Sequence, residues 1–310
     1  MILSASRRTD IPNYYSDWFL NRLKEGHLYV RNPINIYQVS KIDVSPKNVD
    51  CIVFWTKNPE PMLQKLDELK DYKYYFQFTL TGYGKDLEPN VPDKKNYMIP
   101  IFQELSNKIG KEKVIWRYDP ILITEKYSLD YHIKAFTKIA ENLNGYTNKV
   151  IISFLDLYLK TKRNMKNIKV QEIEDIENFT GQLAQIAKKN QLLIDTCAEK
   201  IDLSKYGIGR SSCIDKTLIE QIIGSKIKVK KDKNQRNECG CMESIDIGCY
   251  DTCKNECIYC YANENCNKVK ENLKVYNPYS PILCSELDEK DKITERKLKS
   301  LKEEQLSFFN

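Results

Sequence analysis

The sequence predicts an α/β fold: a partial or full TIM-like (β/α) barrel over residues 1–230, a cysteine-rich segment over 231–270, and a charged, helical tail over 271–310. Three observations predict it. Short apolar runs alternate with helical periodicities along the first part of the chain. Each run ends in polar or charged residues. Beyond residue 230 the periodic pattern gives way to closely spaced cysteines.

The strand-like runs are Ile2–Ala5, Cys51–Trp55, Tyr74–Leu80, Val114–Trp116, Val150–Phe154 and Leu192–Ile194. Runs this short, rich in β-branched and aromatic residues, suit strands buried on both faces of a parallel sheet. Between them, Trp18, Phe19 and Leu23 share a helical face behind Ser16 as a cap. Leu129, Ile133, Phe136, Ala140 and Leu143 form a second face, bounded by Ser128 and Gly145. Ile173, Ile176, Leu183 and Ile186 form a third. Strand alternating with helix implies right-handed βαβ units. Six strands fit an open or closed barrel, with a doubly wound sheet as the alternative.

In barrel enzymes the active site is built at the carboxyl ends of the strands. Here those ends carry Arg7, Arg8 and Asp10, then Lys57, then Arg117 and Asp119. This mixture of cations and carboxylates suits a zwitterionic ligand and a polar substrate. Strand ends are also polar simply because they meet solvent, so no one of these residues carries the reading alone.

The bulk numbers bound the function. At 41% hydrophobic residues the chain can bury a sizeable core. Its formal charge of +6 permits a nucleic-acid partner without arguing for one. The basic run Lys226–Lys233 is interrupted and reads as a solvated face. No stretch approaches the roughly 18 apolar residues that span a bilayer, and the N-terminus lacks the pattern of a secretory signal. The reading is a cytoplasmic protein. Its two histidines, His27 and His132, exclude an H-E-x-x-H zinc peptidase and argue against a hydrolase triad. Both read as structural or exposed.

Eleven cysteines in a reducing compartment point to metal or catalysis. Cys253, Cys257 and Cys260 have C-x3-C-x2-C spacing, so three thiolates on one loop can each bind one iron of a cubic 4Fe–4S cluster and leave the fourth iron open. Cys249 or Cys266 could close that position, and a zinc site is the other alternative. Cys197, Cys213, Cys239 and Cys241 form a second set that could hold another 4Fe–4S cluster or zinc. Cys197 and Cys213 could instead be small buried hydrophobes. Cys51 reads as core, and Cys284 has no visible partner.

The triplet, with Tyr259 before its last cysteine, resembles the radical S-adenosylmethionine (SAM) superfamily. Its Cys257-Ile-Tyr-Cys260-Tyr-Ala form is similar to that of spore photoproduct lyase and its relatives. The resemblance implies that SAM binds the open iron and that reductive cleavage gives a deoxyadenosyl radical. It also implies an electron donor such as flavodoxin or ferredoxin, and an unknown substrate. In that superfamily the motif usually follows the first barrel strand; here it follows the barrel. Over nearly its whole length the chain also resembles the domain of unknown function 1848 family. The segments carrying this are Ser4–Pro12, Val53–Pro59, Ile115–Pro120, Cys239–Cys241 and Thr252–Asn263. Two functions fit these observations. One is a radical SAM-like enzyme; the other is a non-enzymatic, metal-stabilised nucleic-acid-binding or sensor protein.

Overall fold

In a computed structural model, residues 1–303 are described. The strands in chain order are β1 (Ile2–Ala5), β2 (His27–Arg31), β3 (Gln38–Asp43), β4 (Cys51–Thr56), β5 (Tyr74–Thr79), β6 (Val114–Ile121), β7 (Lys149–Phe154), β8 (Leu193–Cys197), β9 (Gly209–Ser211), β10 (Ile245–Asp246) and β11 (Lys292–Glu295).

Eight of them form one all-parallel sheet in the order β10-β1-β4-β5-β6-β7-β8-β9. The order is sequential except that the last strand, β10, lies beside the first. Leu3 is in register with Ile245, and Ser4 with Asp246. Between the outer strands β9 and β10 there is no ladder. The flanking chain closes part of that gap, where Met242 N–H donates to the Ile214 carbonyl at 3.1 Å. β2, β3 and β11 form a separate three-stranded sheet.

Alternation along each strand divides the core in two. One face carries Leu3, Ile52, Phe54, Phe76, Phe78, Trp116, Val150 and Ile152, packed with helices such as Ser16–Glu25, Ile99–Ile109, Leu129–Leu143 and Ile176–Lys189. The opposite face begins with an apolar layer of Ile2, Cys51, Val53, Tyr75, Ile115 and Ile151, covered by Ile214, Ile219 and Ile227. Further along the same face the residues turn polar: Ser4, Gln77, Arg117 and Ser153 are all buried there. That change of character is what makes a site at the carboxyl end of the sheet.

All six strands expected from the sequence are present, and Ser128 caps its helix through the Tyr131 N–H. Two expectations need correction. Ser16 is the first residue of its helix, and the cap position is Tyr15. Beyond the helix that ends at Leu273, the described part of the tail is not helical: Ile293 lies in β11, which pairs parallel with β3, Ile293 opposite Val39. Leu301 N–H donates to Asp50 Oδ2 at 2.8 Å. The physical reason is that β3 offers an unpaired edge, and four extended residues satisfy it. Residues 304–310 of the predicted tail lie outside the described residues. The segment 231–270 supplies β10 and so completes the main sheet. No helix among the described residues is long and apolar enough to cross a membrane.

Candidate active site

A cavity of about 560 Å³ opens at the carboxyl ends of the parallel strands. Every candidate residue read from the sequence lines it: Arg7, Arg8, Asp10, Lys57, Arg117 and Asp119, the triplet Cys253, Cys257 and Cys260, and the second set Cys197, Cys213, Cys239 and Cys241. Cys249 and Cys266, the alternative fourth ligands, are not part of this wall; Cys266 is exposed at the start of helix Cys266–Leu273.

β1 delivers Arg7 and Arg8. The loop holding them is pinned by Asp246 of β10, whose carboxylate accepts from Ser4 Oγ at 3.0 Å, Ser6 Oγ at 2.5 Å and the Arg7 N–H at 3.0 Å. Arg7 stacks its guanidinium over Trp55 at 5.1 Å, and its Nη2 is buried without a hydrogen-bond partner. Arg8 lies over Tyr250 at 5.1 Å.

Asp10 performs a positioning task. It is buried, accepts from the Asn13 N–H at 3.2 Å and the Lys57 N–H at 2.8 Å, and accepts from Asn255 Nδ2 at 3.0 Å. Burial raises its pKa, and these donors oppose the rise. One carboxylate thus ties the β1 loop, the β4 loop and the cysteine triplet loop together.

Lys57 reaches from the end of β4 to Glu88 at 2.7 Å and to the Tyr259 hydroxyl at 2.9 Å. Glu88 is fully buried and also receives Lys94, Thr81 Oγ1 at 2.9 Å and the Tyr259 hydroxyl. Burial alone would raise the Glu88 pKa, but Lys57 and Lys94 hold it down at about 2. Burial likewise disfavours charge on Lys57, and Glu88 and Cys257 reverse this, so the ammonium persists.

The triplet loop is tied at several points. Asn263 Nδ2 donates to the Cys253 carbonyl at 2.7 Å, and Ile258 N–H to the Leu87 carbonyl at 3.0 Å. Ala262 N–H donates to the Cys260 sulfur at 3.3 Å, a contact that suits a thiolate. Burial pushes the Cys257 thiol up to about 12, against the pull of Lys57. Asn263 Oδ1 is buried and unpartnered at the cavity wall.

The second set meets across the gap between the outer strands. Cys197 and Cys213 have their sulfurs 3.3 Å apart, and Arg117 Nη1 donates to Cys213 Sγ at 2.7 Å. Ile214 N–H donates to Cys241 Sγ at 3.4 Å. Contact with Cys241 lowers the Cys239 thiol to about 7, with burial opposing. Arg117 also pairs with Asp119, which takes a further hydrogen bond from Ser153. Among the described residues, no three His, Cys, Asp or Glu side chains are arranged to hold a metal ion as they stand.

Sequence reasoning missed Asp246 and Glu88. Asp246 lies in a two-residue strand with no pattern to mark it. Glu88 sits in a polar loop, where an acid ordinarily reads as solvent-exposed. His132, by contrast, is buried and structural. Cys284, without a visible partner in sequence, is buried beside Tyr15 and Cys249.

These features define a parallel α/β protein with a cysteine-walled, cation-rich cavity at its strand ends. The chain belongs to the domain of unknown function family DUF1848, whose model matches residues 2–262. That span takes in the whole sheet from β1 to β10 and both cysteine sets, and ends two residues after Cys260. No curated protein matches the chain. Among solved structures, one described as a "putative alpha-L-fucosidase" from Bacteroides thetaiotaomicron aligns at 13% identity, covering 52% of this chain and 68% of that one, with a TM-score of 0.25.

Proposed function

We propose that this chain is an iron–sulfur enzyme of the radical SAM type, its sheet curled into a TIM-like barrel that is open between β9 and β10. The observation that carries the reading is the seat of Cys253, Cys257 and Cys260 on the wall of the strand-end cavity. In sequence the motif follows the last strand. In space β10 pairs with β1, so the motif leaves the sheet beside the first strand, where the superfamily resemblance wants it.

The residues present suit the cluster. Three cysteine sulfurs share one half-buried loop, a backbone N–H already donates to Cys260, and Lys57 supplies positive charge beside Cys257. Uptake needs the thiols to lose their protons and swing inward, as coupled metal binding requires. With Cys249 and Cys266 off the cavity wall, one iron is left for an exogenous ligand. SAM, when bound there, supplies a carbon-centred radical for hydrogen abstraction. Its amino and carboxylate groups would take the open iron, in a cavity that Arg7, Arg117 and Asp119 also line. An external one-electron donor such as flavodoxin or ferredoxin, and a substrate fitting the same cavity, complete the reading.

Anaerobic purification tests it. The protein should be brown, and under dithionite it should convert SAM to 5′-deoxyadenosine and methionine. Cys257→Ala should abolish both colour and conversion. A colourless protein that takes up no iron on anaerobic reconstitution would sink the reading.

A further inference from the structure

The four cysteines of the second set come from three separate places. Cys197 ends β8, Cys213 follows β9, and Cys239 and Cys241 precede β10. The fold gathers all four at the one seam of the eight-stranded sheet that no ladder closes. Gly240 marks how tightly the seam is drawn: a Cβ there would stand 2.5 Å from Ser212 Oγ.

We infer that Cys197, Cys213, Cys239 and Cys241 bind a single tetrahedral metal ion of the zinc type, which clasps the seam between β9 and β10. The argument is one of spacing and charge. Around zinc, four sulfurs at about 2.3 Å lie roughly 3.8 Å from one another, the edge of the tetrahedron. Here Cys197 and Cys213 are already 3.3 Å apart, and Cys241 neighbours both Cys213 and Cys239. A cubic cluster puts each cysteine on a different iron and needs them farther apart. The thiols form a chain, so binding draws its two ends, Cys197 and Cys239, toward a common centre.

A zinc ion with four thiolates carries a net charge of −2. The seam holds two cations beside these sulfurs, Arg117 buried and Arg7 half-buried. Arg117 donates to Cys213, and Arg7 sits near Cys241 and Cys213 with one nitrogen unpartnered. Neutral thiols would leave that guanidinium without a matching charge except Asp246. On binding, the four thiols release their protons to solvent, and the ion's charge is balanced within the site.

The test uses the full chain with Cys253, Cys257 and Cys260 all changed to Ala, which removes the first centre and with it any SAM cleavage. This protein, expressed with zinc, should be colourless and hold one zinc per chain. Cobalt in place of zinc should give the sulfur-to-cobalt charge-transfer band and visible bands of a tetrahedral thiolate site. Adding Cys213→Ser should remove the metal. Should that variant fail to fold, Cys239→Ser, which lies outside the strands, takes its place. Iodoacetamide footprinting of the unmutated chain gives a second readout, with Cys239 and Cys241 protected until a chelator is added. No metal in the triple variant, a brown multi-iron centre there, or equal alkylation with and without chelator would each overturn the inference. None of these results bears on SAM cleavage by the wild-type triplet, so the two proposals fail independently.

Discussion

Arg117, on β6, donates from Nη1 to the sulfur of Cys213 at 2.7 Å, across the inner face of the sheet. Burial works against its charge, and Cys213 and Asp119 more than offset this, so the guanidinium stays protonated. Among the described residues it is the one cation that touches both the second cysteine set and the acid at the cavity mouth.

Replacing Arg117 by Met keeps the volume and removes the charge. Asp119 is then left half-buried with Ser153 as its remaining hydrogen-bond partner. Breaking a buried pair costs about 3–5 kcal/mol. Because the Asp119 side chain keeps 20% of its exposure, the expected loss is about 2–3 kcal/mol. Urea unfolding at neutral pH measures it, and an unchanged midpoint would show that the pair contributes nothing.

Glu88→Gln leaves two ammonium groups, Lys57 and Lys94, facing a neutral amide. The loss should be about 3 kcal/mol at pH 7. The pH dependence has a definite sign. Glu88 titrates lower in the folded chain, at about 2, than in the unfolded chain near its ordinary 4.5. Its stabilisation is therefore present above 4.5 and lost as pH falls toward 2. The Gln variant should lose less stability than wild type over that window, measured by thermal melts across the range.

His132 gives a second, separate acid transition. Nε2 donates to the Leu122 carbonyl at 3.0 Å, and Nδ1 accepts from the Tyr118 hydroxyl at 2.7 Å, which fixes the neutral ring. Burial lowers its pKa to about 4 from 6.5. The folded state thus resists protonation, and stability falls as pH drops from 6.5 toward 4. Between pH 7 and 5 the contribution is about 2 kcal/mol. In His132→Gln the slope of unfolding free energy over that interval should flatten, whatever its absolute stability; an unchanged slope would rule the histidine out as its source.

Gly248 lies between β10 and the cysteine triplet. A Cβ there would come within 2.6 Å of the Ser6 Cβ and 3.3 Å of Thr9 Cγ2. Overpacking of this kind costs about 1–3 kcal/mol. Since Ser6 anchors the Arg7–Arg8 loop to Asp246, Gly248→Ala should lower both the melting temperature and the iron taken up on reconstitution. Wild-type values for both would show that the loop gives way freely.

Much of this was legible in the chain. Short unbroken runs of β-branched and aromatic residues marked six strands, because a strand buried on both faces has no polar alternation to obscure it. Their charged ends named Arg7, Arg8, Asp10, Lys57, Arg117 and Asp119, and the tight spacing of Cys253, Cys257 and Cys260 named the triplet. β9 and β10 were invisible, because three and two residues carry no periodicity.

The sequence by itself determined which residues have chemistry to offer, since thiols, guanidinium groups and carboxylates are read directly from the chain. Only the tertiary structure decided that they face one cavity. That follows from β10 pairing with β1, a contact between residues more than two hundred positions apart whose specificity lies in backbone hydrogen bonds and in Asp246, not in any local pattern. The same pairing decided what each charge does. Asp10, read from the sequence as one of the strand-end residues facing a polar ligand, is occupied in holding three loops together, and Glu88, which no sequence pattern marks, neutralises the lysine beside the triplet.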